Sequence, residues 1–231
     1  NNPTISRNSI AGNQSDGIVI TQSKDGKLSG NKIGTNSDLS VTSGNGGHGI
    51  FLDNVDDLAI DGTVDRNVIT ASSLNGISVI DNNSSGIAIQ GNSNFDNGIL
   101  GIDLNNDGID ENDPLDADVG PNALLNNATI TFAEFYEGNL LVQGSIVGAR
   151  NQILKVEAYN SAGVNASGNV EGQEFIGSQT NVRLDAYGLG EFFITGTTTI
   201  SSRDFISVIV EDSNGNTSEF SLHSPASAPF E

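Results

Sequence analysis

The chain has 231 residues, with nine Lys and Arg against 29 Asp and Glu, for a formal charge of −20. That balance argues against nucleic acid and anionic membrane surfaces as partners, because both carry the same sign of charge. There is no cysteine, which excludes disulfides and thiolate metal sites, and no apolar run is long enough for membrane insertion. Gly is frequent at 28 residues, and Asn is abundant, which suits sharp corners better than helices.

The chain opens in mid-pattern with NNPTISRNSIAGN, and reads as a piece of a longer protein. A repeat follows. Gly-Ile stretches recur as GIVI at Gly17, GIFL at Gly49, GISV at Gly76 and GIDL at Gly101. Ahead of each lies a second apolar stretch that ends at an Asn corner: ISRNSIAGN from Ile5, LSGNKIGTN from Leu28, IDGTVDRNVI from Ile60 and IAIQGNSNF from Ile87. Apolar residues alternate over only a few positions before Gly or Asn intervenes, so the elements are short strands. A strand repeat of this length predicts a right-handed parallel β-helix, in which no coil can bury its apolar face alone. Ile18, Ile50, Ile77 and Ile102 should stack inward on successive coils. Asn8, Asn31, Asn67 and Asn92 should form a ladder of side-chain amides at one corner.

Between Asp103 and Asn122 the sequence DLNNDGIDENDPLDADVGPN holds seven carboxylates: Asp103, Asp107, Asp110, Glu111, Asp113, Asp116 and Asp118. No Lys or Arg occurs between Arg66 and Arg150. Asp103, Asn105, Asp107 and Gly108 follow the D-x-N-x-D-G start of a calcium loop. Ile109 could offer its main-chain carbonyl, and Glu111 the next ligand. The twelfth position is Pro114 where an EF-hand has Glu, and no flanking helix is predicted. The expectation is therefore a calcium loop on a β-scaffold, with Asp113, Asp116 or Asp118 closing the shell or holding a second ion. Zinc or iron is disfavoured, since His48 and His223 are the only imidazoles and neither is near.

Beyond Pro121 the Asn corners stop and longer alternating strands begin: ATITFAEFY, NLLVQGSIV, QILKVEAYN, QEFIGSQTNVRL, GEFFITGT and DFISVIVED. These predict an antiparallel β-sandwich of the immunoglobulin-like type. Most aromatic residues sit here, and are expected to fill its two-sheet core. The predicted division is 1–121 for the coils, with the acidic loop at 103–121, and 122–231 for the sandwich.

NKIGTNSDLSVTSGNGGHGIFL, from Asn31 to Leu52, resembles a signature of bacterial secreted or cell-surface parallel β-helix repeat proteins. GIDLNNDGIDENDPLDADVGPNALLN resembles their acidic closing coil, and SRDFISVIVEDSNGNTSEFS the last strands of the sandwich that often follows. The resemblance implies an all-β fold and an extracellular or surface location, and does not imply an activity. The preferred reading is a non-enzymatic structural or adhesion module, with a surface glycan or protein as ligand. The alternative is a carbohydrate-active, polysaccharide lyase-like or carbohydrate-binding protein whose catalytic coils lie upstream. Asp53, Asp56, Asp57, Asp61 and Asp65 with Arg66 are the only cluster that could serve such chemistry here, and read more simply as a solvated face. His48 reads as a turn residue. A phage or virion fibre is a third option.

Overall fold

The computed structural model describes residues 2–40, 43–136, 139–200 and 205–221. Asp204 at the start of the last predicted strand, Ser202 and Arg203 of the stretch quoted for the resemblance, the end of the predicted 122–231 unit and His223 lie outside them. The chain is all-β. Among the described residues ten strands are parallel: β1 (Thr4–Ser6), β2 (Ser9–Ile10), β3 (Ile18–Ser29), β4 (Lys32–Ile33), β5 (Ile50–Asp61), β6 (Val68–Thr70), β7 (Ile77–Ile80), β8 (Ala88–Gln90), β9 (Ser93–Phe95) and β10 (Ile102–Leu104). They form one sheet in the order β1-β3-β5-β7-β10, with β8 also on β5, and a second in the order β2-β4-β6-β9. Strands that lie a full repeat apart are neighbours, which makes this stretch a parallel β-helix.

The repeat register follows the sequence. Ile18 pairs with Ile50, Ile50 with Ile77, and Ile77 with Ile102. All four are buried in one cluster with Leu28, Ile60, Ile33 and Ile69. The preceding Gly is required by packing: a Cβ on Gly49 would lie 2.6 Å from the carbonyl oxygen of Gly76. In the other stretch Ile5 pairs with Leu28, Leu28 with Ile60, and Ile60 with Ile89, so the fourth copy aligns two residues beyond its first Ile. The 12-residue strands β3 and β5 turn coil corners through positive φ at Gln22, Asp25, Asn54 and Asp57.

The Asn corner is a continuous ladder. Asn8 Nδ2 donates to Asn31 Oδ1 (3.2 Å), Asn31 Nδ2 to Asn67 Oδ1 (3.0 Å), and Asn67 Nδ2 to Asn92 Oδ1 (2.8 Å). The same amides donate to Ile5, Leu28 and Ile60 carbonyls. A buried amide so engaged satisfies corner backbone groups that no strand pairs.

All six predicted later strands form: β11 (Thr129–Tyr136), β12 (Asn139–Val147), β13 (Ile153–Ser161), β14 (Glu174–Arg183), β15 (Leu189–Gly196) and β16 (Phe205–Glu211). They make two antiparallel sheets, β11-β12-β15 and β14-β13-β16. Leu140, Val142, Phe192 and Ile194 of one sheet and Leu154, Val156, Val208 and Val210 of the other share one core. The expectation that aromatic residues fill this core fails. Among the described residues Phe192 is the one buried aromatic in it, with Phe135 partly buried against the cluster. Tyr187 and Phe193 face solvent. Tyr159, Phe175 and Phe220 instead join the β-helix cluster, with Tyr159 edge-on to Phe175 and Phe220 at 5.8 and 5.7 Å. The physical reason is the open end of the last coil, whose apolar interior needs a plug more than the sandwich needs bulk.

Candidate metal centre and the capped coil

A β-helix that stops leaves a row of backbone N–H groups with no coil above them. Here side chains from the later part of the chain accept them in turn. Asn216 Oδ1 takes Gly86 N (2.8 Å), Asn122 Oδ1 takes Ile87 N (2.9 Å), and Thr217 Oγ1 takes Ile89 N (2.9 Å). Glu157 Oε2 takes Gly91 N (2.9 Å), Glu171 Oε2 takes Asn97 N (3.1 Å), and Glu219 Oε1 takes Leu104 N (2.9 Å). Asn94 and Gly172 exchange both backbone bonds. Each of these side chains stands where the next coil's carbonyl would be. Burial pushes Glu171 up to about 7, against the Asn97 donors that favour its charge.

The acidic segment runs out of β10 beside this cap. Asp103 is only 2% exposed; its Oδ2 accepts Asn75 Nδ2 at 2.7 Å, and its Oδ1 is buried with no hydrogen-bond partner. Asn105 is exposed and left-handed, and donates to Asp107 Oδ2 at 2.9 Å. Ile109 is 46% exposed, and Glu111 is exposed. Asp113 accepts Ala117 N on both oxygens, and Asp116 Oδ1 accepts Asn126 N at 2.8 Å. Asp118 keeps a buried Oδ1 without a partner.

Of the predicted ligands, Asp113, Asp116 and Asp118 come closest together, with one oxygen of each within 4.8 Å of the others. Asp103 and Asp107 are not part of that group, and their charges act on Asp110, which the expected ligand set passed over. Burial, reinforced by Asp107, Asp103 and Asp118, raises Asp110 to about 6. Burial and the charges of Asp118, Asp113 and Asp212 raise Asp116 to about 6. Glu219 rises to about 8, mostly through burial, with Asp110 and Asp103 adding to it. Among the described residues no Lys or Arg pairs with any of these carboxylates. Oxygen-only donors without a neutralising base suit a hard cation such as calcium. Asp110 was visible in the sequence as one of the seven acids. Glu219, 109 residues from Asp110, had no signal.

The long acidic face is differently arranged. Lys24 pairs with Asp56 at 2.6 Å, Lys27 with Asp61 at 2.8 Å, and Arg7 with Asp65 at 2.6 Å, all across coils and open to solvent. That fits a solvated, charge-matched face. His48 is buried beside Phe51, and its Nδ1 accepts Asn75 N at 3.3 Å, so it serves coil stacking; burial lowers its pKa.

Fold and end-cap together define a protein built on a parallel β-helix, closed by a second β unit. Comparison with family models agrees: residues 1–113 match the model described as "Right handed beta helix region". No curated protein matches the chain. No helix among the described residues is long and apolar enough to cross a membrane.

Proposed function

We propose that this chain is an extracellular structural module, a β-helix stalk whose end is sealed by an immunoglobulin-like sandwich and stiffened by calcium in the acidic segment. The observation that carries the reading is the cap itself. Six side chains and an aromatic plug join the two parts, as a stiff stalk or display unit requires, with adhesion to a surface glycan or protein as its use. The immunoglobulin-like assignment draws support from strand order. The first, second and fifth strands share one sheet and the third and sixth the other, as the A, B, E and C, F strands do in that fold. After β16 the chain returns beside it, with Ser218 N and Ser221 N donating to Val210 and Val208 carbonyls.

Calcium is supported by the convergence of Asp113, Asp116 and Asp118, which repel one another unless an ion turns repulsion into ligation. The chemistry of the polysaccharide lyase-like alternative has less to rest on here, since four of the five carboxylates in its candidate cluster are matched by bases in cross-coil pairs. Metal analysis of the purified protein and a calorimetric calcium titration test the reading. Calcium binding with a rise in melting temperature is expected; a protein indifferent to both calcium and chelator defeats it.

A further inference from the structure

Where the coils meet the sandwich, a cleft of about 170 Å³ opens between the two parts. The coils supply Thr63 and Arg66 to its lining, and the sandwich supplies Lys155, Glu157, Phe175 and Ser178. In a chain of charge −20, this lining carries two bases and one acid. The acid is fully engaged. Glu157 is 3% exposed; its Oε1 accepts Lys155 Nζ at 2.6 Å, and its Oε2 accepts the Tyr159 hydroxyl and Gly91 N. The donors are not. Lys155 Nζ directs one hydrogen to Glu157 and one to Gln90 Oε1 (2.6 Å), and an ammonium has a third. Arg66 is exposed and makes no ion pair among the described residues, whereas Asp61 and Asp65 beside it are matched by Lys27 and Arg7. Glu211 is the cross-strand neighbour of Lys155 and does not line the cleft.

A lining whose acceptor is saturated and whose donors have hydrogens to spare selects an anion, and a guanidinium offers the planar fork that a carboxylate accepts. Charges more than roughly 8 Å away are largely screened at physiological salt, so the lining sets the local sign and the whole chain does not. Phe175 gives the cleft an apolar wall, held edge-on by Tyr159 at 5.8 Å. The volume is below the roughly 300–1,000 Å³ of a drug-sized site, which limits the occupant to about one ring. Thr63 and Ser178 are exposed, so the rest of a longer ligand has a way out to solvent.

We propose that this cleft binds a terminal acidic sugar, with its carboxylate on Arg66 and Lys155 and its ring against Phe175. This rests on the adhesion reading and names the class of its ligand. One wall belongs to the coils and the other to the sandwich, so the ligand ties the two parts together as it binds.

The test is NMR titration of the full chain with glucuronate, glucose and inorganic sulfate, repeated at raised salt. Glucuronate should shift the signals of Arg66, Lys155 and Phe175, and its affinity should fall as salt rises. Arg66 is exposed, so Arg66→Gln should fold as the wild type does by circular dichroism. It should weaken glucuronate roughly tenfold, a change of about 1.4 kcal/mol. Exchange of Gly91 N–H, which Glu157 accepts at the back of the cleft, should slow on binding; a diffuse ion cloud would not slow it. Sulfate that binds as tightly as glucuronate overturns the sugar assignment. Glucose that binds as tightly as glucuronate, with Arg66→Gln silent, overturns the cleft and keeps a glycan for the adhesion reading. Binding of none of the three overturns the cleft and leaves that reading with a protein ligand alone.

Discussion

Asn67 is fully buried, and its side chain accepts from Asn31 N and Nδ2 while donating to the Leu28 carbonyl and Asn92 Oδ1. Its removal leaves buried groups on two neighbouring coils without partners, and water has no way in. Asn67→Ala should therefore cost roughly 2–4 kcal/mol, more than an isolated hydrogen bond is worth. Urea unfolding measures it; a loss under half a kilocalorie would mean the ladder is incidental. Ile77 is the complementary case, a fully buried apolar residue stacked between Ile50 and Ile102. Ile77→Ala should cost roughly 2–5 kcal/mol, because coils fixed by ladders above and below cannot collapse into the cavity.

At the scale of elements, the cap decides how the β-helix ends. Glu171 is the most informative member, because its charge state is coupled to folding. Its carboxyl lies near 4.5 when unfolded and is raised to about 7 in the folded protein. The folded state thus holds the proton more tightly. The stability this contributes is complete below about pH 4.5 and is lost as pH rises through about 7, up to about 3 kcal/mol. Glu171→Gln keeps an acceptor for Asn97 N and does not titrate. The difference in stability between variant and wild type should accordingly change across pH 4.5–7 and level off on either side. Asp110, Asp116 and Glu219 shift in the same direction, so it is this difference, not the wild-type curve, that isolates Glu171. A parallel pair of stability curves would contradict the assignment. Asn122 acts at the same level without charge: its amide bonds Ile87 N, the Ile87 carbonyl and the Thr217 carbonyl. Asn122→Ala should destabilise by roughly 2–4 kcal/mol, and hydrogen exchange should speed up first in β8.

For the whole molecule, the proposed calcium would act on the same junction as the cap. Chelation is expected to lower the melting temperature and to loosen residues 105–121 before the coils, since a ligand bound only by the folded state stabilises it by mass action. Magnesium should restore little. Limited proteolysis with and without chelator reads both effects; cleavage that starts in the coils would place the metal's influence elsewhere. A fragment of residues 122–231 keeps its own two-sheet core, and should fold when expressed alone. It would expose Tyr159, Ile209, Phe175 and Phe220, which the β-helix now covers, and should associate or bind hydrophobic dyes. A disordered fragment by NMR would show instead that the sandwich needs the β-helix to fold.

The sequence by itself determined the elements and, except for the fourth copy of the second stretch, their register. Gly-Ile stretches, Asn corners and alternating strands are local patterns, and stacking copies of one pattern leaves a single arrangement that buries every Ile. A second set of equivalent polar positions was equally legible. Asn13, Asn45, Ser72 and Asn97 each stand four residues before a repeat Gly, and Asn13 Nδ2 reaches Asn45 Oδ1 at 2.9 Å. Asp16, His48 and Asn75, immediately before the Gly, each accept the backbone N–H of the following coil. Tertiary structure alone decided how the last coil is closed. A Glu or Thr that replaces one carbonyl of a missing coil recurs with no period. Its partner lies as far away as Thr217 from Ile89, and only the folded chain brings them within hydrogen-bond reach. The aromatic residues were misplaced for the same reason: an alternating strand reveals which side chains share a face, but not whether that face meets its own sheet or the open end of another domain.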